Sequence, residues 1–271
     1  MVAVKQLNKA VVADYLLANG PENPYTEVAR LQRLSEEPYV LNCLEALQDK
    51  CSLYIVTPRA PGGTLYDLVF NVFAPLSEQR IHFIFVQLLH ILILLERENI
   101  HHRDLSPDNL VIFENDQIKV MDFALSMLLP KTKSGHRILL SSNIGTFGTH
   151  AYMAPELVQD EVFDGVSADL WSVMVILYNL QTRHKLYDHP LATDWSFRYF
   201  ILHQGLARER MNQALLHAPL ADGRLRERAR AHLWTSNVRI ILGHSLKRNP
   251  RDRWTLAQVI ESDYVQQTPI Q

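Results

Sequence analysis

The sequence predicts an α+β chain with a small strand-rich front section and a larger, mainly helical back section. Three observations carry this. Short apolar stretches of strand length gather before residue 60, longer apolar stretches of helical length follow it, and Pro58 to Gly63 separates them with two prolines and two glycines. We place the boundary at that break, with one domain over 1–60 and another over 61–271.

Val2-Ala3-Val4-Lys5 alternates like a half-buried strand. From Asn8 to Pro24 an apolar patch is followed by Asn-Gly-Pro-Glu-Asn-Pro, expected to be a loop. Tyr25 to Leu34 spaces Val28, Leu31 and Leu34 as a helix does, with Thr26 as N-cap, so Glu27 falls in a first turn. Tyr39 to Ala46 and Leu53 to Val56 are expected strands flanking a turn at Gln48-Asp49-Lys50. Thr64 to Phe70 is a short helix candidate, and Ser77 to Arg97 a long one, apolar almost all round as a buried central helix would be. Leu110 to Phe113 and Ile118 to Met121 flank the turn Glu114 to Gln117 and predict a hairpin. Leu125 to Thr149 has no sustained period and is expected to be a long loop, Ala168 to Thr182 is an apolar helix, and helical patterns dominate from Asp194 onward.

At 271 residues the chain has ample apolar material for a core. Twenty-seven basic against twenty-nine acidic residues give a net charge of -2, which does not mark the whole chain as a binder of nucleic acid or membrane surfaces. Cys43 and Cys51 form no CxxC pattern and are expected to be reduced. The N-terminus lacks the apolar run of a signal peptide, and the most apolar window, Ile81 to Leu95, is interrupted by His82, Gln87 and His90 and is expected to be too short to span a bilayer. A soluble intracellular protein is expected. Arg224 to Arg230 is a basic stretch, read as a solvated helix face.

The chemistry concentrates in His102-Arg103-Asp104-Leu105-Ser106-Pro107-Asp108-Asn109 and in Asp122-Phe123-Ala124, which starts thirteen residues after Asn109. An acid able to accept a proton, an amide five residues on and a second acid form a set suited to a magnesium–nucleotide reaction. With Val2 to Lys5, Glu27, the linker ending in Gly62-Gly63, Gly148 to Glu156, Asp169-Leu170-Trp171-Ser172 and Arg253, these motifs occur in the order found in eukaryotic protein kinases, which the chain resembles from Val2 to about Val265.

That resemblance implies a two-lobed, protein-kinase-like α+β fold with a truncated small β-rich N-lobe and a larger helical C-lobe. It also implies ATP and Mg2+. Asp104 would orient the substrate hydroxyl and accept its proton, Asn109 and Asp122 would hold the metal, Lys5 would contact the phosphates and Glu27 would pair with Lys5. Ala3, Leu110 and Val56 would flank the adenine, with Thr57 as gatekeeper and Pro58, Arg59 and Ala60 as hinge. Glu156 with Arg253 would form a buried ion pair, and Asp169 would brace the catalytic loop. Thr149 and the run to Glu156 resemble the substrate floor of serine/threonine kinases. Partners would be a protein bearing Ser or Thr and an upstream activating kinase placing phosphate on Ser141, Ser142, Thr146 or Thr149 for Arg103 to receive, with no nucleic-acid or membrane partner.

Three departures stand beside this. Nothing ahead of Val2 supplies the glycine-rich phosphate loop, Ala124 replaces a glycine, and Ser106 replaces a lysine that neutralises the transferred phosphate. The expected function is a serine/threonine protein kinase. The alternative is a pseudokinase acting as a binding or scaffold module, and a small-molecule kinase fits the Thr149 to Glu156 run less well.

Overall fold

The computed structural model describes residues 1–72, 74–141, 147–159, 162–202 and 236–267. In the front section, β1 (Val2–Asn8) runs antiparallel to β3 (Ser52–Pro58), with Ala3 opposite Thr57 and Lys5 opposite Ile55, and β2 (Glu45–Gln48) pairs with the other side of β3. The apolar patch after β1 forms a helix, α1 (Lys9–Leu17), started by the Asn8 side chain, which accepts from the amides of Ala10 and Val11. None of its residues is buried, so capping rather than core packing specifies it locally.

α2 spans Pro24–Arg33 and its N-cap is Asn23, not Thr26. Pro24 has its φ pre-set for the first helical position and has no N–H to leave unpaired there, while the Asn23 side chain accepts from the amides of Tyr25 and Thr26. Glu27 and Leu31 form the buried face. The helix is bracketed by the back section. Ahead of it the Asn23 amide donates to the Ala124 carbonyl at 2.9 Å; after it the Leu41 amide donates to the Val120 carbonyl at 2.9 Å, and the Val120 amide to Tyr39 at 2.8 Å. Those last bonds explain why the strand expected from Tyr39 is shortened at its start: Tyr39 and Leu41 are committed to residue 120, and bonding to β3 begins with the Leu44 amide on the Val56 carbonyl at 2.8 Å, just ahead of β2.

Past the break, Gly62 and Gly63 pair with Ile112, and a Cβ on Gly62 would stand 2.8 Å from the Ile112 carbonyl oxygen, so only glycine lets the two backbones meet. The short helix candidate is a π-helical turn, Asp67–Asn71, closed by Asp67 accepting from the Thr64 amide and hydroxyl. α3 (Glu78–Glu98) starts at the Ser77 cap and ends at Asn99, whose φ is 55°. Its 21 residues exceed the apolar window seen in the sequence, and at about 30 Å they are long enough to cross a bilayer, which corrects the expectation of too short a span. Ten of them are nevertheless buried inside the protein, where α3 packs on α4 (Gly165–Thr182). Sixteen of the eighteen residues of α4 are buried, and it forms the axis of the core. Gln87, polar within α3, donates to the Asp116 carbonyl at 2.9 Å and accepts from the Ile118 amide at 2.9 Å, fixing the hairpin turn.

β4 (Ile100–His101) leads into a loop with a short 3-10 turn at Pro107–Asn109, then β5 (Leu110–Ile112) and β6 (Ile118–Val120) form the expected hairpin. The stretch from Leu125 carries β7 (Met127–Leu128), paired with β4, and β8 (Leu140–Ser141), paired with β9 (Val162–Phe163). After α4 come α5 (Trp195–Leu202) and helices Ser236–Ser245, Leu256–Ile260 and Asp263–Gln266. The basic stretch Arg224 to Arg230 and the hydroxyls of Ser142 and Thr146 lie outside the described residues.

Candidate active site

The loop after β4 is held from below by one carboxylate. Asp169 of α4 accepts the His102 amide at 2.9 Å and the Arg103 amide at 3.3 Å, and Arg103 is bent to φ 71°. This aims Asp104 toward the segment ahead of Tyr152. Its Oδ1 accepts from both the amide (2.7 Å) and the hydroxyl (2.8 Å) of Thr149, and its Oδ2 accepts from Asn109 Nδ2 at 2.8 Å. Nδ2 also donates to the Asp104 carbonyl at 2.8 Å, leaving Oδ1 as the acceptor atom of the Asn109 amide.

Gly148 makes the approach of Thr149 possible. Its φ is 108°, and a Cβ there would stand 2.3 Å from the Arg103 carbonyl oxygen. Gly148→Ala is expected to destabilise the chain by about 1–3 kcal/mol through backbone strain and to pull Thr149 off Asp104. A urea denaturation midpoint equal to that of the wild type would contradict this.

Asp122 follows β6 in a left-handed conformation, φ 59°, and its Oδ1 accepts from the Ala124 amide at 3.3 Å. The strained position is thus the acid itself: Ala124, where a glycine was missed, is not among the positive-φ residues. Phe123 is fully buried against His102, ring centroids 4.9 Å apart. Lys5 Nζ reaches Glu27 Oε2 at 2.8 Å and Asp122 Oδ2 at 3.4 Å. Burial works to lower the Lys5 pKa, but the two carboxylates outweigh it and hold the ammonium protonated. Burial and the neighbouring Asp122 push Glu27 up despite Lys5. Two carboxylates therefore face one ammonium, a donor set with charge and oxygen atoms to spare for a hard cation. Among the described residues no cluster of three or more His, Cys, Asp or Glu could enclose a metal alone. Magnesium takes one or two protein oxygens and completes its shell with phosphate and water.

The residues expected around adenine are less gathered. Ala3 and Thr57 are cross-strand partners, and Arg59 donates its amide to the Met1 carbonyl at 3.3 Å. Ala60 lies in the linker, and Leu110 is fully buried in the hairpin. The Arg103 guanidinium lies 5.1 Å from the Phe147 ring centroid, Ser141 is exposed on β8, and Ser106 is buried with no partner for its hydroxyl. The expected ion pair is present: Arg253 grips Glu156 through two contacts of 2.5 and 2.6 Å and lies over Trp171. Sequence reasoning missed His101, which is buried beside Asp169; an imidazole ahead of the His-Arg-Asp run carried no spacing signal.

His102 is buried, and burial lowers its pKa from 6.5 although Asp169 and Asp104 pull the other way. The folded chain keeps it neutral, while the unfolded chain takes up a proton below 6.5. The stability it contributes is present above pH 6.5 and is lost as pH falls toward the folded value, at up to about 1.4 kcal/mol per pH unit. The thermal midpoint is expected to drop between pH 6.5 and 5.5, and to drop less in His102→Tyr; equal slopes would contradict the assignment.

A carboxylate fixed by three donors from Thr149 and Asn109, together with an ammonium shared by two further acids, is a set of groups suited to nucleotide-dependent phosphoryl transfer. The family profile described as "Protein kinase domain" matches residues 1–265, and the chain belongs to the protein kinase domain family, whose members use ATP and Mg2+. Among curated relatives it is 28% identical over 232 residues to CBL-interacting protein kinase 9 of Oryza sativa subsp. japonica, covering 86% of this chain and 44% of that protein. It is 33% identical over 189 residues to CBL-interacting protein kinase 11 of the same organism, covering 70% and 36%. To CBL-interacting serine/threonine-protein kinase 3 of Arabidopsis thaliana it is 31% identical over 187 residues, covering 69% and 40%. The chain thus spans less than half the length of these relatives.

Proposed function

We propose that the chain is an ATP-dependent serine/threonine protein kinase. The observation that carries the reading is the Asp104 carboxylate, held on one oxygen by Thr149 and on the other by Asn109, while Lys5 is paired with Glu27 and within 3.4 Å of Asp122. Asp104 accepts the proton of a Ser or Thr hydroxyl as it attacks, because an ionised carboxylate so placed has lone pairs to receive it. Lys5 binds the nucleotide phosphates, and Glu27 keeps its ammonium extended and charged. Mg2+, held by Asp122 and the Asn109 amide oxygen, supplies charge neutralisation on the phosphates when bound. Ala3, Thr57, Arg59, Ala60 and Leu110 line the base. Residues 1–60 then contribute Lys5, Glu27, Ala3, Thr57, Arg59 and Ala60, and 61–271 contribute Asp104, Asn109, Leu110 and Asp122. The substrate is an intracellular protein, and Arg103 is the receptor for a phosphate placed by another kinase.

The test is transfer of radiolabelled phosphate from ATP to a pool of Ser- and Thr-containing peptides, beside an Asp104→Ala control. Incorporation that needs Mg2+ and exceeds the control supports the reading; a wild-type chain no faster than the control overturns it.

A further inference from the structure

His101 stands at the end of β4, directly ahead of the loop that carries Asp104, and no step derived above uses it. Its side chain is buried, and Nδ1 lies 3.1 Å from Asp169 Oδ1, the oxygen that also accepts the Arg103 amide. Nδ1 falls short of an aligned hydrogen bond but stays within reach of the carboxylate, so an N–H there is turned toward Asp169. The ring is confined on two further sides. Phe163 meets it edge-on, 6.0 Å between centroids, and Gly165 leaves room for it, since a Cβ there would stand 2.9 Å from His101 Cγ.

The loop needs such an anchor. Arg103 is held in the left-handed region, which a residue with a side chain adopts only when its surroundings impose it. The imposing group is Asp169, a carboxylate removed from water. A buried carboxylate is stable only when its oxygens are well supplied with donors or positive charge. Burial raises the Asp169 pKa, but His101 first, then His102 and its amide, outweigh that and keep it below the ordinary carboxylate value. The Asp169 carboxylate that His101 meets also holds the amides of His102 and Arg103, so the influence of His101 on Asp104 runs through Asp169.

We propose that His101 is a positioning residue for Asp104: it fixes Asp169, and Asp169 fixes the two amides that set the direction of the Asp104 side chain. The inference rests on the reading of Asp104 as the proton acceptor. Two variants separate its role from simple packing. His101→Asn keeps an N–H near the place of Nδ1, whereas His101→Leu fills the space without one. In the full chain, His101→Leu is expected to lower kcat about 10-fold or more with KM for ATP nearly unchanged, as a small misplacement of a reacting group does. Amide hydrogen exchange at His102 and Arg103 is expected to quicken about 10-fold as the local anchor weakens. His101→Asn should restore most of both. Unchanged exchange and kcat in His101→Leu, beside an active wild type, overturn the inference alone. A wild type no faster than Asp104→Ala removes it together with the reading of Asp104.

Discussion

Asp104→Ala is expected to lower phosphoryl transfer by about 10²–10⁴-fold, the range attributable to a positioned proton acceptor, while leaving nucleotide affinity near that of the wild type. The two effects separate because Lys5 is held by Glu27 and Asp122 and not by residue 104, and Asn109 keeps its bond to the residue 104 carbonyl. Alanine is preferable to asparagine here. An amide at 104 would turn an NH2 group toward Thr149, which donates twice, or toward Asn109 Nδ2, which also donates, and would disturb the loop for reasons unrelated to the proton. Single-turnover transfer and nucleotide titration on the same preparation check both halves. A variant that transfers at more than a tenth of the wild-type rate would remove Asp104 from the role.

Glu156→Ala is expected to destabilise the fold by about 3–5 kcal/mol, because it strands a buried cation. Arg253 is 7% exposed and Glu156 1%, so water cannot replace the lost partner. The guanidinium keeps the carbonyls of Lys247 and Arg248 and the Trp171 ring, which limits the loss but leaves its charge uncompensated. Removing both charges with apolar residues of similar volume should recover much of the stability, since the unpaired ion and not the missing attraction is the larger penalty. Chemical denaturation of the single and double variants measures this. Equal midpoints for Glu156→Ala and the wild type would show the pair to be dispensable.

The long apolar helices and the hairpin were legible in the sequence because burial writes itself into composition: α3, α4 and the β5–β6 turn fall within a few residues of where periodicity predicts them. The misses share another cause. Asn23 displaces Thr26 as a cap because Pro24 follows it, and the expected strand from Tyr39 starts late because Val120 takes the hydrogen bonds of Tyr39 and Leu41. Long-range pairing of that kind has no local signature. Of the site, spacing named Asp104, Asn109 and Asp122. That Oδ1 of Asp104 is gripped by a residue 45 positions later, or that Asp169 stands beside a buried imidazole, depended on how α4 packs.

The bonds that bracket α2 decide where this molecule can come apart. Both ends of the helix are tied to the strand and turn that carry Asp122, one through Asn23 and Ala124, the other through Leu41 and Val120. Glu27 and Asp122 are therefore passengers on one body. Lys5 rides on another, the β1–β3 sheet, and its ammonium is the only direct ion-pair link between the two bodies among the described ion pairs of this site. Any motion that parts the sheet from the helices withdraws the lysine from both acids at once. The joint that would open is at Lys5, and a swing of α2 is not needed to break it.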